Sequence, residues 1–240
     1  MNAQPVNRGD ATQWLGVAGL AVVMCLSVSN TMRAQGVVSG NVLLQEPTTQ
    51  AKHDVDQAIV YLEPVKHAAR YDRVSDAPVI VAMREREYIP RVQIVRAGGT
   101  VEFPNQDPFS HNVFSNTALG AFDLGLYRRG ATRGATFSRV GVYAVYCNIH
   151  ASMVSFVVAV PNKLYARVAN SGEFAIADVP AGAYLLHVWH ERTKELIEPI
   201  DVTSTGTDRL TVTLDTRSFP NTAHLNKFGQ PYAPTRADRY

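Results

Sequence analysis

Residues 145–154, VYCNIHASMV, set a thiol, an imidazole and a thioether at every third position, as Cys147, His150 and Met153. Short alternating or apolar runs flank the stretch on both sides, which predicts one tight loop between two strands. Because side chains alternate across a strand, Cys147 lies on the same face as Val145. If Val145 points into the core, the sulfur of Cys147 is sheltered from water. One loop can therefore present three metal-binding side chains.

A fourth donor for the same site, His111, lies upstream of the loop. The turn-rich run 103–110 leads into a predicted strand that begins at His111. Two histidines, a thiolate and a thioether form the donor set of electron-transfer copper. Structural zinc prefers a closed tetrahedral set rich in sulfur, and hydrolytic sites keep an open position. The residues thus predict one mononuclear copper ion bound by His111, Cys147, His150 and Met153.

The spacing C-x-x-H-x-x-M over 147–153, preceded by a distant His111-Asn112, resembles the copper-binding pattern of the cupredoxins. Its two-residue gaps are most similar to the amicyanin type. The resemblance implies a Greek-key β-sandwich and a type 1 (blue) copper ion with the four ligands named above. It also implies that Asn112 joins the two ligand segments by hydrogen bonds. Unlike the amicyanins, this sequence has no proline within the ligand loop.

Three further runs extend this resemblance beyond the ligands. Residues 103–105 (FPN), 111–115 (HNVFS) and 122–125 (FDLG) are similar to the plastocyanin-like proteins often labelled methylamine utilization proteins. That label is a family name and implies no substrate.

Each predicted ligand also has a structural interpretation when it is taken singly. His111 can be a hydrogen-bonded loop histidine, and Met153 can be a core residue. Cys147 can be a buried and inert thiol, and His150 an exposed loop histidine. Their spacing, the strand-loop-strand setting and the upstream His-Asn pair together favour copper.

The rest of the chain predicts an all-β protein. No long run repeats at helical period, and short runs are separated by Gly, Pro, Asn and Asp, as is typical of β-sandwiches. The predicted strands are 37–44, 58–62, 79–83, 91–96, 100–103, 111–114, 135–137, 141–146, 154–160, 164–169, 173–178, 184–191, 199–203 and 210–215.

A second module is indicated by residues 172–188, which alternate cleanly through a predicted hairpin. They resemble the carboxypeptidase regulatory-like, or CnaB-like, β-sandwich, a module that usually carries no chemistry. The opening strands of that family are matched by Gly40-x-Val42 and by Ala58-x-Val60-x-Leu62, which precede the copper motif. The resemblance implies a cupredoxin over 76–160 inserted into a discontinuous sandwich made of 36–66 and 161–215. The alternative is a cupredoxin over 37–160 followed by a small β domain.

Both ends of the chain are predicted to lie outside these modules. An apolar run over 14–28 leads to Ala34 before Gln35, which predicts a cleaved signal peptide over 1–35 and a periplasmic or secreted protein. The run is shorter than the roughly 20 residues that span a bilayer, so no membrane span is expected in the mature chain. Residues 216–240 lack periodicity and are predicted to be a mobile tail.

Cysteine usage fits the same picture. Cys25 lies in the apolar run, so cleavage leaves Cys147 as the sole thiol and excludes an internal disulfide. An unpaired cysteine in an oxidising compartment is usually bound to metal, catalytic or paired elsewhere. An uncleaved anchor, or a lipid on Cys25, is the alternative to cleavage.

The charge balance bears on partners. A net charge of +2 from 23 basic and 21 acidic residues is far from the one-signed balance of nucleic-acid binders. Between residues 120 and 140 Asp123 is the single acid, so this region can present a positive face that steers an acidic redox partner, although ordinary solubilising side chains explain it as well. The basic residues there are Arg128, Arg129, Arg133 and Arg139.

Four functions remain open on the sequence. The first is an electron carrier that is not an enzyme. A copper-handling protein would use similar soft ligands but usually more Cys or Met donors. A cysteine hydrolase would make Cys147 its nucleophile, but it leaves Met153 idle and lacks the usual helix after the cysteine. The last is an adhesion module whose site has lost its metal.

Overall fold

The computed structural model describes residues 35–47, 52–66, 76–217 and 224–232 of the 240-residue chain. In these ranges the regular structure is β-strand apart from one turn of 3-10 helix at Val55–Gln57. The predicted all-β fold class is therefore confirmed. The predicted signal peptide lies outside the described residues except for Gln35. Among those residues, no helix is long and apolar enough to cross a membrane.

From residue 79 onward the strands follow one another with connections of one to seven residues, as the frequent turn residues in the sequence predict. In chain order they are β1 (Gln35–Gln45), β2 (Ile59–Pro64), β3 (Val79–Ile80), β4 (Ala82–Arg84), β5 (Glu87–Ile89), β6 (Val92–Arg96), β7 (Gly99–Pro104), β8 (His111–Ser115), β9 (Phe122–Tyr127), β10 (Thr132–Phe137), β11 (Gly141–Tyr146), β12 (Val154–Val160), β13 (Tyr165–Arg167), β14 (Glu173–Pro180), β15 (Gly182–Trp189), β16 (Leu196–Val202) and β17 (Leu210–Asp215).

The predicted ligands lie in a sandwich formed by the middle of the chain. Its larger sheet has the order β6-β12-β11-β8-β9 and its smaller sheet the order β10-β7-β3. Every second residue of β7 is buried, which is the period expected when one face of a strand packs on a core. The side chains that fill this core include Val101, Phe103, Val113, Phe137, Val145 and Val157.

A second sandwich is built from the strands that precede and follow the first sandwich in the chain. Its sheets have the orders β14-β1-β17 and β13-β2-β15-β16. The first strands, β1 and β2, are thus hydrogen-bonded to strands that follow the ligand loop. The core between these sheets includes Val42, Val60, Phe174, Leu186, Val188 and Val212.

A third apolar cluster joins the two sandwiches, and all described residues belong to one compact unit. Ile59, Tyr61 and Trp189 of the four-stranded sheet pack against Val158 and Val160 of the five-stranded sheet. Strand β12 therefore has both faces covered at its C-terminal end, where Val157 to Val160 are all buried. A strand covered on both faces is a rigid support for the loop that precedes it.

Strand predictions were best where the apolar pattern was strong. β11, β12 and β17 have the predicted bounds. The predicted strand 79–83 is two strands, because the chain leaves one sheet for another at the buried Val81. β5 and β9 were not predicted. β9 contains Gly125 at a φ of 69° and pairs with β8 across a register shift, so its pattern is irregular.

The third cluster yields a stability prediction. Trp189 is 6% exposed and packs against Phe156 with ring centroids 5.4 Å apart, so Trp189→Ala leaves a cavity between the sandwiches. We expect the free energy of unfolding to fall by about 3 kcal/mol or more in a denaturant titration. Ile197→Ala, at a side chain 51% exposed on the neighbouring strand β16, is the control and should change little. If Trp189→Ala changed the free energy of unfolding as little as we expect for Ile197→Ala, the cluster would contribute no stability.

Candidate metal centre

The predicted ligand loop is the connection of a β-hairpin. β11 and β12 pair antiparallel up to Tyr146 and Val154, which leaves residues 147–153 between them. The Cys147 N–H donates to the Met153 carbonyl at 3.3 Å, and the Met153 N–H donates to the His150 carbonyl at 3.1 Å. These bonds close the loop at its base and fold it back on itself.

His111 comes to this loop through the neighbouring strand. β8 pairs antiparallel with β11 at Phe114 and Tyr146, so the start of β8 lies beside the beginning of the loop. His111 Nδ1 is 3.8 Å from the Cys147 sulfur, and His150 Nδ1 is 3.7 Å from it. The structure thus brings together three of the four predicted ligands, with one donor atom of each within 4.8 Å of the others.

These distances fit a single metal ion. A metal–sulfur bond of about 2.3 Å and a metal–nitrogen bond of about 2.0 Å that meet at about 120° place sulfur and nitrogen about 3.7 Å apart. That is the separation of Cys147 from both histidines. In the described part of the chain no other group of three His, Cys, Asp or Glu side chains is spaced to hold a metal ion.

The environment of Cys147 favours its thiolate form. The residue is fully buried, and burial alone raises the pKa of the thiol. His111 and the backbone N–H groups of Ile149, Asn112 and His150 hydrogen-bond to the sulfur and lower the pKa overall. The thiolate is the form that binds metal, so the loop prepares this sulfur as a ligand.

The second nitrogen of His111 is held by a carboxylate. Nε2 lies 2.7 Å from Oδ2 of the buried Asp107, which leaves Nδ1 turned toward Cys147. Burial lowers the pKa of His111, but Cys147 and Asp107 raise it overall. A carboxylate on the far nitrogen is the usual partner of a metal-binding histidine, because it fixes both ring orientation and tautomer.

Asp107 is itself held by a turn of the chain. Its carboxylate accepts the Glu85 N–H at 2.7 Å and the Arg86 N–H at 3.0 Å. Both residues have positive φ, near 57° and 61°, in the turn that joins β4 and β5. Burial raises the pKa of Asp107, whereas these donors and His111 lower it overall. The hairpin therefore positions His111 through one carboxylate.

His150 is half-buried and completes the group of donors. Burial lowers its pKa, and the charges of His111 and Arg86 lower it further, so the imidazole is kept neutral with a free lone pair. The Phe109 ring lies edge-on to both histidines, with centroids 5.1 Å from His111 and 5.7 Å from His150. This aromatic ring covers one side of the donors from water.

Met153 is buried, 1% exposed, in the same apolar cluster as Cys147. Its backbone bonds to Cys147 and His150 hold it at the base of the loop. Its role as a ligand remains a prediction.

Asn112 bonds to the ligand loop, as expected of a residue that joins the two ligand segments, but through its backbone and not its side chain. The Asn112 side chain donates to Asp123 Oδ1 at 2.6 Å, and it is the Asn112 backbone N–H that bonds to Cys147. The buried Tyr88 hydroxyl lies 3.2 Å from the Asn112 carbonyl and 3.0 Å from the Tyr146 carbonyl. A residue of the unpredicted strand β5 thus bridges the segments.

Asp107 and Tyr88 were not predicted from the sequence to support the site. An acid four residues before a predicted histidine ligand, in a turn-rich run, was a usable signal for Asp107. Tyr88 had none, because its contacts depend on where the β4–β5 hairpin folds. Residues 224–232, in the segment expected to be a mobile tail, also contact the ligand loop.

The positively charged region lies close to these segments. All four arginines are exposed, and Arg133 bonds to the Leu124 carbonyl while lying 5.0 Å from the centre of the Tyr127 ring. Tyr127 is the strand partner of His111, and the Gly130 N–H donates to the Asn105 carbonyl at 2.8 Å. Arg128, which directly follows Tyr127, and Arg133 therefore lie beside the strand partner of β8, whereas Arg139 precedes β11 at the end of that strand away from the ligand loop.

Comparison with solved structures finds cupredoxins. A reduced tryptophan-to-tyrosine mutant of amicyanin has 24% identity and a TM-score of 0.33, with 37% of this chain and 88% of that chain covered. A novel purple cupredoxin from Nitrosopumilus maritimus has 22% identity and a TM-score of 0.31, with 34% and 98% covered. The Cu(I) form of a methionine-to-alanine amicyanin mutant has 20% identity and a TM-score of 0.33, with 43% and 98% covered. No protein-family profile and no curated protein sequence matches the chain.

The substitution Asp107→Asn tests the role of the carboxylate that contacts His111 Nε2. We expect the affinity for Cu(II) to fall by about 10- to 100-fold, because the neutral amide holds the imidazole less firmly and turns an N–H group toward other donors. Competition with a chelator of known affinity measures the change. Asp201→Asn, at an exposed carboxylate on β16, is the matched control. An affinity equal to that of the wild type would exclude this role for Asp107.

Proposed function

We propose that the protein binds one mononuclear type 1 copper ion through His111, Cys147, His150 and Met153 and carries single electrons between redox partner proteins. The observation that supports this most is the triad of His111 Nδ1, Cys147 Sγ and His150 Nδ1 around a fully buried thiol. Its ligand types are those of electron-transfer copper.

The four residues would bind the copper ion with different strengths. The Cys147 thiolate would supply the strongest and most covalent donor, the two imidazoles would hold the ion beside it, and the Met153 thioether would supply a weak fourth donor. When bound, copper would supply reversible one-electron chemistry by alternating between Cu(I) and Cu(II). The strands, Asp107 and the backbone N–H groups support this proposal, because they hold His111 and the Cys147 loop in position.

The burial of the donors argues against a hydrolase. Cys147 and His111 are both 0% exposed, so a substrate cannot reach the sulfur without opening the loop. The three-residue spacing also uses Met153, for which a hydrolase has no role. A copper-storage protein would need more soft donors than this mixed set.

We also propose the setting in which the carrier works. The predicted signal peptide over 1–35 supports export to the periplasm or beyond. The exposed arginines near the His111 strand support docking of a partner with an acidic surface, faster at low ionic strength. No role in nucleic-acid binding is proposed.

For the architecture, we propose a cupredoxin over 76–160 inserted into a CnaB-like sandwich formed by 36–66 and 161–215. The pairing of β1 with β14 and β17, and of β2 with β13 and β15, supports this division. The second sandwich then serves as a scaffold without chemistry of its own.

The copper proposal is tested by the visible spectrum of the protein loaded with Cu(II). We expect an intense charge-transfer band that reductant bleaches reversibly, and we expect Cys147→Ser to abolish it because the thiolate is its source. Met153→Leu should keep the band and shift the reduction potential, since the axial donor tunes the potential. Met83→Leu, at a buried methionine outside the loop, is the control.

A folded wild-type protein that stays colourless with Cu(II) would contradict electron transfer. Copper binding without reversible reduction would instead indicate a copper-handling protein.

A further inference from the structure

Residues 224–232 lie against the predicted ligand loop, although they do not belong to a strand. The Tyr232 hydroxyl donates to the Cys147 carbonyl at 2.8 Å, across 85 positions of sequence. Cys147 thus has its N–H bonded inside the loop and its carbonyl bonded to this distant segment. We call residues 224–232 the strap.

A second contact is made by His224 at the other side of the loop. Its Nε2 lies 2.7 Å from the Ala151 carbonyl. Its ring stacks on Tyr146, with centroids 4.0 Å apart and planes 19° apart, and meets the Tyr232 ring edge-on at 5.1 Å. The stack covers Tyr146, which directly precedes Cys147. The strap therefore contacts the loop both at its beginning and at Ala151.

Lys227 links the strap to both ligand segments. Its backbone N–H donates to Asn148 Oδ1 at 3.0 Å, and its ammonium lies 2.7 Å from Asp123 Oδ2. The other oxygen of Asp123 accepts the side-chain amide of Asn112, the residue after His111. One lysine therefore connects the Cys147 loop with the His111 strand.

The strap has a defined conformation of its own. The Asn226 N–H donates to the Gln230 carbonyl at 2.8 Å, and the Gly229 N–H donates to the Asn226 carbonyl at 2.9 Å. The Asn226 side chain accepts the N–H groups of Phe228 and Gln230. Such a closed turn presents Lys227 and Tyr232 at a fixed spacing, which a random coil would not.

We infer that the strap holds the 147–153 loop in its metal-binding conformation, with Tyr232, His224 and Lys227 as positioning residues. The inference rests on the proposed copper function, but each contact is made between residues of the chain itself. Without the strap, the loop retains the hairpin bonds at its base and loses its partners at Cys147, Asn148 and Ala151. Opening of the loop then becomes easier, and the donors are held less firmly.

Hydrogen exchange of the loop amides in the full-length, metal-free protein tests the strap directly. Tyr232→Phe removes only the hydroxyl, and we expect exchange of amides 148–152 to become about fivefold faster, the factor for one ordinary hydrogen bond. Adding His224→Phe, which keeps an aromatic ring on Tyr146 but removes the bond to the Ala151 carbonyl, should raise the exchange rate further. Tyr165→Phe, in β13 of the second sandwich, is the control and should exchange like the wild type.

The reduction potential of the copper-loaded protein distinguishes a positioning role of the strap from a general effect on stability. We expect Tyr232→Phe to shift the reduction potential while Tyr165→Phe leaves it unchanged. Unchanged loop exchange in the Tyr232 variants, or faster exchange with an unchanged potential, would overturn the inference. A colourless wild type would refute the copper proposal by itself, and the exchange rates of the metal-free protein would still show whether the strap holds the loop.

Discussion

Full burial of the Cys147 sulfur is the feature around which the site is organised. A charged group without water is costly unless hydrogen-bond donors or opposite charge surround it. Three backbone N–H groups and the His111 imidazole meet this need. Because those donors come from both the 147–153 loop and β8, the thiolate can form only where the two segments are held together.

The surrounding structure keeps them together in successive layers. Tyr88 bridges β8 and the end of β11 through their carbonyls, and Asp107, itself held by the β4–β5 turn, fixes the far nitrogen of His111. Asp123 connects Asn112 with Lys227 of the strap. These contacts support the predicted ligands from several sides, which explains how a short and partly exposed loop can present a rigid set of donors.

The second sandwich contributes from the opposite end of the strands. Its four-stranded sheet covers the outer face of β12 through the cluster around Trp189 and Val158. A strand buried on both faces cannot slip in register without disrupting the packing of its side chains on both sides. The hairpin that carries the loop is therefore anchored far from the predicted ligands, and the second sandwich supports it there.

The residues that the sequence identified are those whose signal is local. The spacing in 145–154 and the alternation of β11 and β12 sufficed for Cys147, His150 and Met153 and for the all-β fold, because both patterns repeat over a few residues. His111 needed one long-range assumption, that its strand lies beside β11. Tyr88 and Tyr232 could be assigned only once the chain was folded. Tyr88 lies 58 positions from Tyr146, the last residue of β11, and Tyr232 lies 85 positions from Cys147. Asp107 has a local signal, as an acid four residues before His111, but only the folded chain shows that the β4–β5 turn holds its carboxylate against that histidine. Contacts of this kind are set by which strands pair and where loops return, and that is a property of the whole fold.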